Sequence, residues 1–334
     1  MKVLLYFEKE KALRQSGIGR ALRHQKQALE ANGVDYTLDP KDSFDIAHIN
    51  TNFFESYRLL KRCKKEGKKV IVHGHSTFED FRKSFRCWKL IEPFFDRLII
   101  RMYRNADAII TPTQYSKHLI ENYKGVTCPV YSLSNGINLP DYAYSGKKVK
   151  QFRNYFKLKP QEKVVIGVGL FFERKGILDF FEIARQMPDV KFIWFGHLSK
   201  IMTQGKILRA IKKRPSNVIM PGYIDGDIIK GAFSNANLVL FPTLEETEGI
   251  VVLEALASKT PVLVRDIPVF DGWLEDNVNC LKAKDNDEFI KKINYALYND
   301  LSNIIENGYK TVTEREIALV GKELVNIYHE VLKN

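Results

Sequence analysis

Short runs of apolar, mostly β-branched or aromatic residues recur along the chain and alternate with segments of helical length. Runs that are apolar on both faces are typical of parallel strands covered by helices. The pattern therefore predicts an α/β architecture, built twice over. Eight strands are predicted, four in each half of the chain: Val3–Phe7, Ile46–Ile49, Val70–His73, Ala108–Thr111, Val164–Val168, Phe192–Phe195, Leu238–Phe241 and Pro261–Val264.

A polar stretch separates the two series of strands. Leu139–Lys150 contains proline and glycine among charged residues, and we interpret it as an interdomain linker. We therefore predict an N-terminal domain over residues 1–145, a C-terminal domain over residues 146–312, and a helix over residues 313–334 that packs back toward the N-terminal domain. The apolar residues of this helix recur at helical spacing: Ile317, Val320, Leu324, Ile327, Tyr328 and Val331.

Length and composition exclude several classes of protein. A chain of 334 residues with 45% hydrophobic residues is long enough for two cores. The four cysteines are scattered without a CxxC pair or His partners at metal-ligand spacing, so they suggest neither a disulfide framework nor a zinc site. No cofactor is expected, and no metal ion, because the cations Arg174 and Lys175 would take its place. No apolar run reaches the ~18 residues that a membrane span requires, and the start of the chain does not resemble a secretion signal. These features predict a cytoplasmic protein.

The net charge of +12 is unevenly distributed. Residues 1–150 hold 27 Lys/Arg against 16 Asp/Glu, a balance of +11, whereas residues 151–334 hold 25 against 24, a balance of +1. Such a field attracts an anionic partner, either a membrane leaflet or nucleic acid, although it also keeps a protein soluble. Charge alone leaves these three interpretations open.

Cations and aromatic residues alternate in Phe81–Arg104, where Pro93 is expected to divide two helices, and cations are dense in Arg58–Lys69. Basic, aromatic, amphipathic helices lie in anionic membrane interfaces. The alternative is that some of these aromatic side chains pack in the core. We assign five residues to a membrane-facing and acceptor-facing surface: Arg82, Lys83, Arg86, Trp88 and Lys89.

Two motifs follow strands of the first series, at the strand ends where doubly wound sheets bind ligands. Ser16-Gly-Ile-Gly19 precedes a helix; glycines there allow backbone amides to approach a phosphate, but a tight turn capped by Ser16 explains the same residues. His73-Gly-His75 ends the third strand, and neutral imidazoles could hydrogen-bond a sugar or hold a reacting group. A metal site is the rival interpretation, but no third ligand is adjacent.

Two further motifs follow strands of the second series. Arg174-Lys175-Gly176 lies between a strand and a helix, where two cations and a helix start suit a diphosphate, although a solvated turn is the simpler explanation. Glu246 falls in a loop after a strand, and Glu254 falls in the following helix. Acidic residues clustered in an otherwise apolar strand–turn–helix segment need partners, which distinguishes this pair from the Glu pairs of exposed helices.

Taken together, these motifs resemble the family 4 glycosyltransferases of the GT-B fold, whose mark is two Glu separated by seven residues. The resemblance covers essentially the whole chain and implies two Rossmann-like, doubly wound domains that face a central cleft. It implies that Glu254 holds the ribose hydroxyls, that Glu246 holds the donor sugar, and that Lys175 grips the diphosphate. The further donor-binding residues that it implies are Gly17, Gly19, Arg174, Gly222, Tyr223 near the uracil, Thr247, Glu248, Gly249 and Ile250.

The chain departs from the family pattern at two places. Leu170 stands where the family usually has Arg, so Arg174 is expected to supply part of that charge. Glu246-Thr-Glu-Gly249 replaces the more common Glu-Gly-Phe-Gly, which alters the expected sugar contacts. We group His73, His75, Arg174, Lys175 and Glu246 as the candidate catalytic residues, and no nucleophile is evident among them.

Within the family, HGHSTFEDF, GLFFERKG and EETEGIVVLEALAS are most similar to the Gram-positive diglycosyl-diacylglycerol synthases, which make the glycolipid anchor of lipoteichoic acid. The resemblance implies a retaining transfer of galactose or glucose from UDP-galactose or UDP-glucose to a monohexosyl-diacylglycerol. The expected location is peripheral, on the inner face of the cell membrane, with the anionic surface as a partner and without nucleic acid.

Two alternatives remain at this point. One is a polysaccharide-assembly glycosyltransferase that uses a polyprenyl-linked or soluble acceptor. The other is a non-catalytic nucleotide-binding or nucleic-acid-binding protein, which would leave the Glu pair unexplained because carboxylates repel phosphates.

Overall fold

The structure is a computed structural model, and it describes residues 1–333. The chain forms two compact units. The N-terminal unit contains Met1–Phe81, Lys89–Ile137 and the chain from Arg315 onward. The C-terminal unit contains Asn138–Glu314 together with the short segment Arg82–Trp88, which the sequence had placed with the N-terminal domain.

The N-terminal unit is built on a six-stranded sheet in the order β2-β1-β3-β4-β5-β6, in which every neighbouring pair is parallel. Its strands are β1 (Lys2–Tyr6), β2 (Asp35–Thr37), β3 (Ile46–Ile49), β4 (Lys69–His73), β5 (Ala108–Thr111) and β6 (Val130–Ser132). Its helices are α1 (Glu10–Leu13), α2 (Gly17–Ala31), α3 (Phe54–Lys65), α4 (Phe78–Phe81), α5 (Trp88–Asn105), α6 (Gln114–Glu121) and the terminal α14 (Ile317–Lys333).

The C-terminal unit repeats this architecture with the parallel order β12-β11-β10-β7-β8-β9. Its strands are β7 (Val164–Val168), β8 (Lys191–Phe195), β9 (Val218–Gly222), β10 (Leu238–Phe241), β11 (Val262–Arg265) and β12 (Leu281–Ala283). Its helices are α7 (Gly146–Tyr155), α8 (Ile177–Gln186), α9 (Gly205–Lys212), α10 (Asp227–Asn235), α11 (Ile250–Ala257), α12 (Asn286–Tyr298) and α13 (Ser302–Thr313). Short 3-10 turns cover Leu139–Tyr142, Glu173–Lys175 and Pro268–Phe270.

All eight predicted strands are present, to within one residue at either end. The four strands that were not predicted, β2, β6, β9 and β12, are the four edge strands of the two sheets. A central strand such as β3 is buried at every position, whereas β2 and β6 each bury a single residue. Because an edge strand is covered incompletely, its sequence lacks the continuous apolar run that identifies the central strands.

The terminal helix α14 buries each of the six apolar residues that predicted it. It packs in the N-terminal unit against α2, and Gly321 makes that approach possible. A Cβ atom on Gly321 would lie 2.4 Å from the carbonyl oxygen of Ala28. The chain re-enters this unit beside the point where it leaves, since the amide of Ile137 donates to the carbonyl of Arg315 at 2.9 Å.

One local prediction was wrong. Pro93 does not divide two helices, because α5 continues through it from Trp88 to Asn105. Proline removes one backbone hydrogen bond near the start of the helix, and the bonds of the following turns are unaffected. The predicted linker Leu139–Lys150 starts one residue after Asn138, where the C-terminal unit resumes, and it contains a 3-10 turn and the first residues of α7, which Ser145 caps.

Candidate active site

The two predicted cations of the C-terminal unit lie in the 3-10 turn between β7 and α8. Gly176 ends this turn with φ 73°, and a Cβ atom there would lie 2.1 Å from the carbonyl oxygen of Pro242. Only glycine allows this close approach, which places the turn against the end of β10. Arg174 and Lys175 are therefore held at the carboxyl edge of the sheet, where ligands of this fold class bind.

Glu246 is the anion that these cations meet. The ammonium of Lys175 pairs with Oε1 of Glu246, which also accepts a hydrogen bond of 3.1 Å from the hydroxyl of Thr243. Arg174 lies 3.9 Å from the other carboxylate oxygen. The side chains of Arg174, Lys175 and Glu246 are only 11%, 17% and 8% exposed. The two cations are thus held, shielded from solvent, at the edge of the sheet, a position that suits an anionic ligand.

Arg174 is oriented from two further directions. Its Nε donates to the hydroxyl of Ser84 at 2.8 Å, and its Nη1 donates to the carbonyl of Glu245 at 2.9 Å. Ser84 belongs to the segment Arg82–Trp88, whose Phe85 ring packs edge-on against Phe172 at 4.8 Å. This segment is thus part of the surroundings of the predicted diphosphate turn.

Glu254 lies in the second turn of α11 and is 2% exposed. It accepts a hydrogen bond of 2.6 Å from the hydroxyl of Tyr142. Gly249 starts the helix with φ 88°, and no side chain caps it. Amides at an uncapped helix start are suited to bind a sugar or phosphate oxygen, as predicted for Thr247 to Ile250. Glu248 in the same loop is buried.

The predicted uracil segment is at the end of β9. Gly222 has φ 85°, and its carbonyl accepts a bond of 2.8 Å from the amide of Gly196. Tyr223 follows it and is half-buried. Gly222 and Tyr223 therefore lie at the carboxyl edge of the same sheet as Lys175, on its edge strand.

The predicted histidines form a buried cluster in the N-terminal unit. His73 and His75 stack with their ring centroids 3.9 Å apart, and His48 on the neighbouring strand β3 stacks on His73 at 5.2 Å. Burial lowers the pKa of His48 and of His75 to about 3, and it lowers the pKa of His73 well below its ordinary value. All three rings are therefore neutral at neutral pH and act as hydrogen-bonding groups.

The glycine loop before α2 forms a capped helix start. Ser16 is the N-cap, and its hydroxyl accepts a hydrogen bond of 3.3 Å from the amide of Gly19. The amide of Gly19 is thus already engaged, whereas Gly17 is exposed with open space around it. The capped-turn explanation accounts for Gly19, and the role of Gly17 in binding a phosphate stays a prediction.

The predicted membrane-facing cations are all exposed: Arg82, Lys83, Arg86 and Lys89. Trp88 is half-buried, and Phe81 is buried against Phe95 with centroids 3.8 Å apart, so part of this aromatic series does pack in the core. The next turns of α5 expose large apolar side chains, with Leu90 74% and Phe94 72% exposed. Lys89 is the one of these four cations that lies on α5, and an exposed cation together with exposed apolar side chains is typical of a helix that lies in a lipid interface.

Sequence reasoning missed several residues that complete these clusters: Gln25, His48, Asn50, Ser84, Tyr142, Thr243 and Tyr328. Each is a polar residue outside a motif. Asn50 follows strand β3 directly, so its position at a strand end was a usable signal. Ser84 and Tyr142 carried no comparable signal.

Within residues 1–333, no helix is both long and apolar enough to cross a membrane. In the same range, no three His, Cys, Asp or Glu side chains are grouped so that they could hold a metal ion.

Comparison with known proteins identifies the family. The family model of the glycosyl transferases group 1 matches residues 148–311, and that of glycosyltransferase family 4 matches residues 30–140. The chain is 56% identical over 333 residues to the processive diacylglycerol alpha-glucosyltransferase of Acholeplasma laidlawii, and the match covers 100% of this chain and 99% of that protein.

Two solved structures share the fold over the whole chain. Sucrose-phosphate synthase from Thermosynechococcus elongatus matches with a TM-score of 0.84 and 16% identity, covering 100% of this chain and 99% of the other. Anabaena HepE in complex with UDP and glucose matches with a TM-score of 0.80 and 16% identity, covering 99% of this chain and 100% of the other. The two parallel sheets thus form a GT-B fold. The chain belongs to the family 4 glycosyltransferases.

Proposed function

We propose that this glycosyltransferase transfers glucose from UDP-glucose to diacylglycerol and to its glucosylated product, at the cytosolic face of the membrane. The observation that carries the proposal is the 56% identity over the full length to a processive diacylglycerol alpha-glucosyltransferase. HepE, which shares the fold, was solved with UDP and glucose bound. These two proteins favour glucose over galactose and add diacylglycerol itself to the predicted monohexosyl acceptor.

The C-terminal unit would bind the donor. Glu254 is placed to accept hydrogen bonds from the ribose hydroxyls, and Glu246 is placed to accept them from the glucose hydroxyls. The amides from Thr247 to Gly249 would contact sugar or phosphate, and Gly222 with Tyr223 would contact the uracil. Charged acceptors give hydroxyl hydrogen bonds about twice the strength of neutral ones.

Arg174 and Lys175 would stabilise the leaving diphosphate. Both cations already lie against Glu246 in a shielded cluster, so they are held in place before a diphosphate arrives. Preorganised cations stabilise charge that develops in the transition state, which is the function a metal ion has in other transferases. We therefore propose that the diphosphate departs without a metal ion.

The reaction would proceed with retention of configuration. UDP-glucose carries an α-linked glucose, and the relative is named for an α-linked product. In our proposal the acceptor hydroxyl attacks the anomeric carbon from the face that the diphosphate leaves. The carbon–oxygen bond to the phosphate breaks, the new glycosidic bond forms, and the hydroxyl proton passes to the departing phosphate oxygen. No protein nucleophile is needed in this route.

His73 and His75 would act as neutral hydrogen-bonding groups for a sugar hydroxyl. Their lowered pKa values keep them uncharged at neutral pH. Arg82, Lys83, Arg86, Lys89 and the exposed apolar residues of α5 would hold the enzyme on anionic lipid, where its acceptor resides.

The test is a matrix of donors and acceptors. Labelled UDP-glucose and UDP-galactose are each supplied with diacylglycerol, monoglucosyl-diacylglycerol or a polyprenyl phosphate in anionic vesicles. We expect transfer from UDP-glucose to both glycerolipids. Transfer to the polyprenyl acceptor alone, or from UDP-galactose alone, would overturn the proposal.

A further inference from the structure

A chain of hydrogen bonds leads from the terminal helix to the histidine cluster. The hydroxyl of Tyr328 on α14 lies 2.7 Å from Nδ1 of His48, and Nε2 of His48 lies 3.1 Å from Nδ1 of His73. Tyr328 and His48 are completely buried, and His73 is 4% exposed. Water therefore does not compete for these contacts, and the protein groups must satisfy one another.

The amide of Gln25 fixes the tautomer of His73. Its nitrogen lies 2.8 Å from Oδ1 of Asn50 and 3.0 Å from Nδ1 of His73. An amide nitrogen has two hydrogens and accepts none, so both contacts are donated by Gln25. Nδ1 of His73 must then carry a lone pair, which puts the proton of this ring on Nε2.

The tautomers of His48 and His75 follow from the donors and acceptors that they contact. Because Nδ1 of His73 is an acceptor, Nε2 of His48 must donate to it, and Nδ1 of His48 is left to accept from the hydroxyl of Tyr328. Oδ1 of Asn50 also contacts Nε2 of His75 at 3.0 Å, and it can only accept. His75 therefore also carries its proton on Nε2 and keeps the lone pair on Nδ1.

The opposite set of tautomers is disfavoured at Tyr328. It would require the side-chain amides of Gln25 and Asn50 to be flipped by 180°. Nδ1 of His48 would then donate to the hydroxyl oxygen of Tyr328. The only partner of the Tyr328 hydroxyl among residues 1–333 is His48, so the hydroxyl hydrogen would be buried without an acceptor. In the arrangement with His48 protonated at Nε2, the hydroxyl of Tyr328 donates that hydrogen to Nδ1 of His48. Burial keeps all three rings neutral, so each ring carries one N–H proton. The tautomer is then defined by whether that proton is on Nδ1 or on Nε2.

We propose that Tyr328 is a positioning residue, which acts through His48 and His73 to fix the tautomers of the histidine cluster. Its effect reaches His75 through Gln25 and Asn50. His75 then offers Nδ1 as an acceptor for a substrate hydroxyl, and His73 offers the N–H at Nε2. That Nε2 atom is buried and has no protein partner among residues 1–333, so it is available to a substrate oxygen or a bound water. The role of these atoms in transfer rests on the proposed function, whereas the tautomers do not.

The direct test is nitrogen NMR of the intact protein with labelled histidines, since protonated and unprotonated ring nitrogens have well-separated shifts. The seven histidines are assigned by single replacements. For the wild type at neutral pH we expect His48, His73 and His75 each to be protonated at Nε2. Protonation of His48 at Nδ1 in the wild type would overturn the proposal without the need for any variant.

The variant Tyr328→Phe removes the hydroxyl and keeps the ring. We expect His48 to lose its single tautomer and kcat to fall by roughly tenfold. Tyr131→Phe is the matched control, because the hydroxyl of Tyr131 also contacts α14, at Glu330, but lies outside the histidine cluster. It should change neither the spectrum nor kcat. Unaltered tautomers in Tyr328→Phe, or altered tautomers with unaltered kcat, would contradict the positioning role.

The NMR spectrum tests the tautomers, and the enzyme assay tests the donor and the acceptor, so either claim can be refuted without the other. If the donor or the acceptor is not the one proposed, the wild-type tautomers will still be as described. If the tautomers differ from those described, the assay on UDP-glucose is still a valid test of the proposed function.

Discussion

Tyr142 donates a hydrogen bond of 2.6 Å to Glu254, and both residues belong to the C-terminal unit. The buried carboxylate is thus held in place by a group that can also be displaced by a ribose hydroxyl. The proposed role of Glu254 in nucleotide binding can therefore be tested separately from its hydrogen bond to Tyr142.

Glu254→Ala should weaken the binding of UDP by tenfold or more, because a charged acceptor for the ribose hydroxyls is lost. Tyr142→Phe is the control: the carboxylate stays and loses only the hydrogen bond from Tyr142, so UDP affinity should change by less than about threefold. Isothermal calorimetry with UDP on folded variants measures both. Wild-type affinity in Glu254→Ala would refute the assignment.

Lys175→Ala should lower kcat by about a hundredfold or more, because a cation that faces the leaving diphosphate acts mainly in the transition state. Lys206→Ala is a matched control, since Lys206 forms an ion pair of 2.6 Å with Glu173 in the same turn but is much more exposed. An exposed pair of this kind contributes little. If steady-state kinetics show similar small losses in both variants, Arg174 or the helix start stabilises the diphosphate instead.

Ser84→Ala should raise the KM for UDP-glucose by roughly two- to fivefold, because Arg174 loses one of the groups that orient it. Ser84→Thr keeps the hydroxyl and should restore most of the affinity. The segment that carries Ser84 has left-handed backbone at Lys83 (φ 58°) and Cys87 (φ 57°), conformations that the surrounding contacts must maintain. An unchanged KM in Ser84→Ala would show that the hydroxyl of Ser84 is not needed to orient Arg174.

The protein should lose stability as the pH falls from 7.5 to 5.5. Burial lowers the pKa of His24 to about 4 and of His48 and His75 to about 3, whereas these groups titrate near 6.5 in the unfolded chain. Below pH 6.5 the unfolded chain therefore binds more protons than the folded one, and stability falls until the folded pKa is reached.

The loss at pH 5.5 should be about 1 kcal/mol per buried histidine. Urea unfolding at the two pH values measures it, and His24→Gln should reduce the difference by one such increment. A midpoint that does not change with pH in this range would contradict the neutral, buried state of the rings.

Replacing Arg82, Lys83, Arg86 and Lys89 with Gln should weaken binding to anionic vesicles by up to roughly 4 kcal/mol, while UDP affinity is preserved. Cosedimentation at low and moderate salt measures this, because salt screens the surface potential. The matched control replaces four exposed cations that lie outside both the segment Arg82–Trp88 and helix α5: Lys157, Lys212, Lys213 and Arg214. Equal effects of the two variants, or binding that is insensitive to salt, would exclude electrostatic docking through this surface.

The central strands of both sheets could be predicted because each is apolar on both faces, as in Ile46–Ile49. The edge strands could not, since partial burial leaves no continuous apolar run in segments such as Asp35–Thr37. Pro93 was misleading because the low helix propensity of proline describes a local free-energy cost, mainly the loss of one backbone hydrogen bond. The remaining hydrogen bonds and packing of a helix of 18 residues outweigh that cost.

The residues of the candidate site divide in the same way. Lys175 and Glu246 were identifiable because strand–turn–helix motifs place them at the sheet edge, and the structure pairs them. Tyr328 was predicted as an apolar position of a helix face, which was correct for its burial. Its hydrogen bond to His48, 280 positions away in sequence, depends on tertiary packing that no local pattern encodes.

The proposed transfer of glucose to diacylglycerol is tested most directly by the structure of the lipid that the wild-type enzyme makes from UDP-glucose and diacylglycerol in anionic vesicles. The anomeric proton coupling of the isolated product reports both the sugar and its configuration. We expect α-linked glucose on diacylglycerol, with a second α-linked glucose on part of the product. A β-linked product, or release of UDP without any glucolipid, would contradict it.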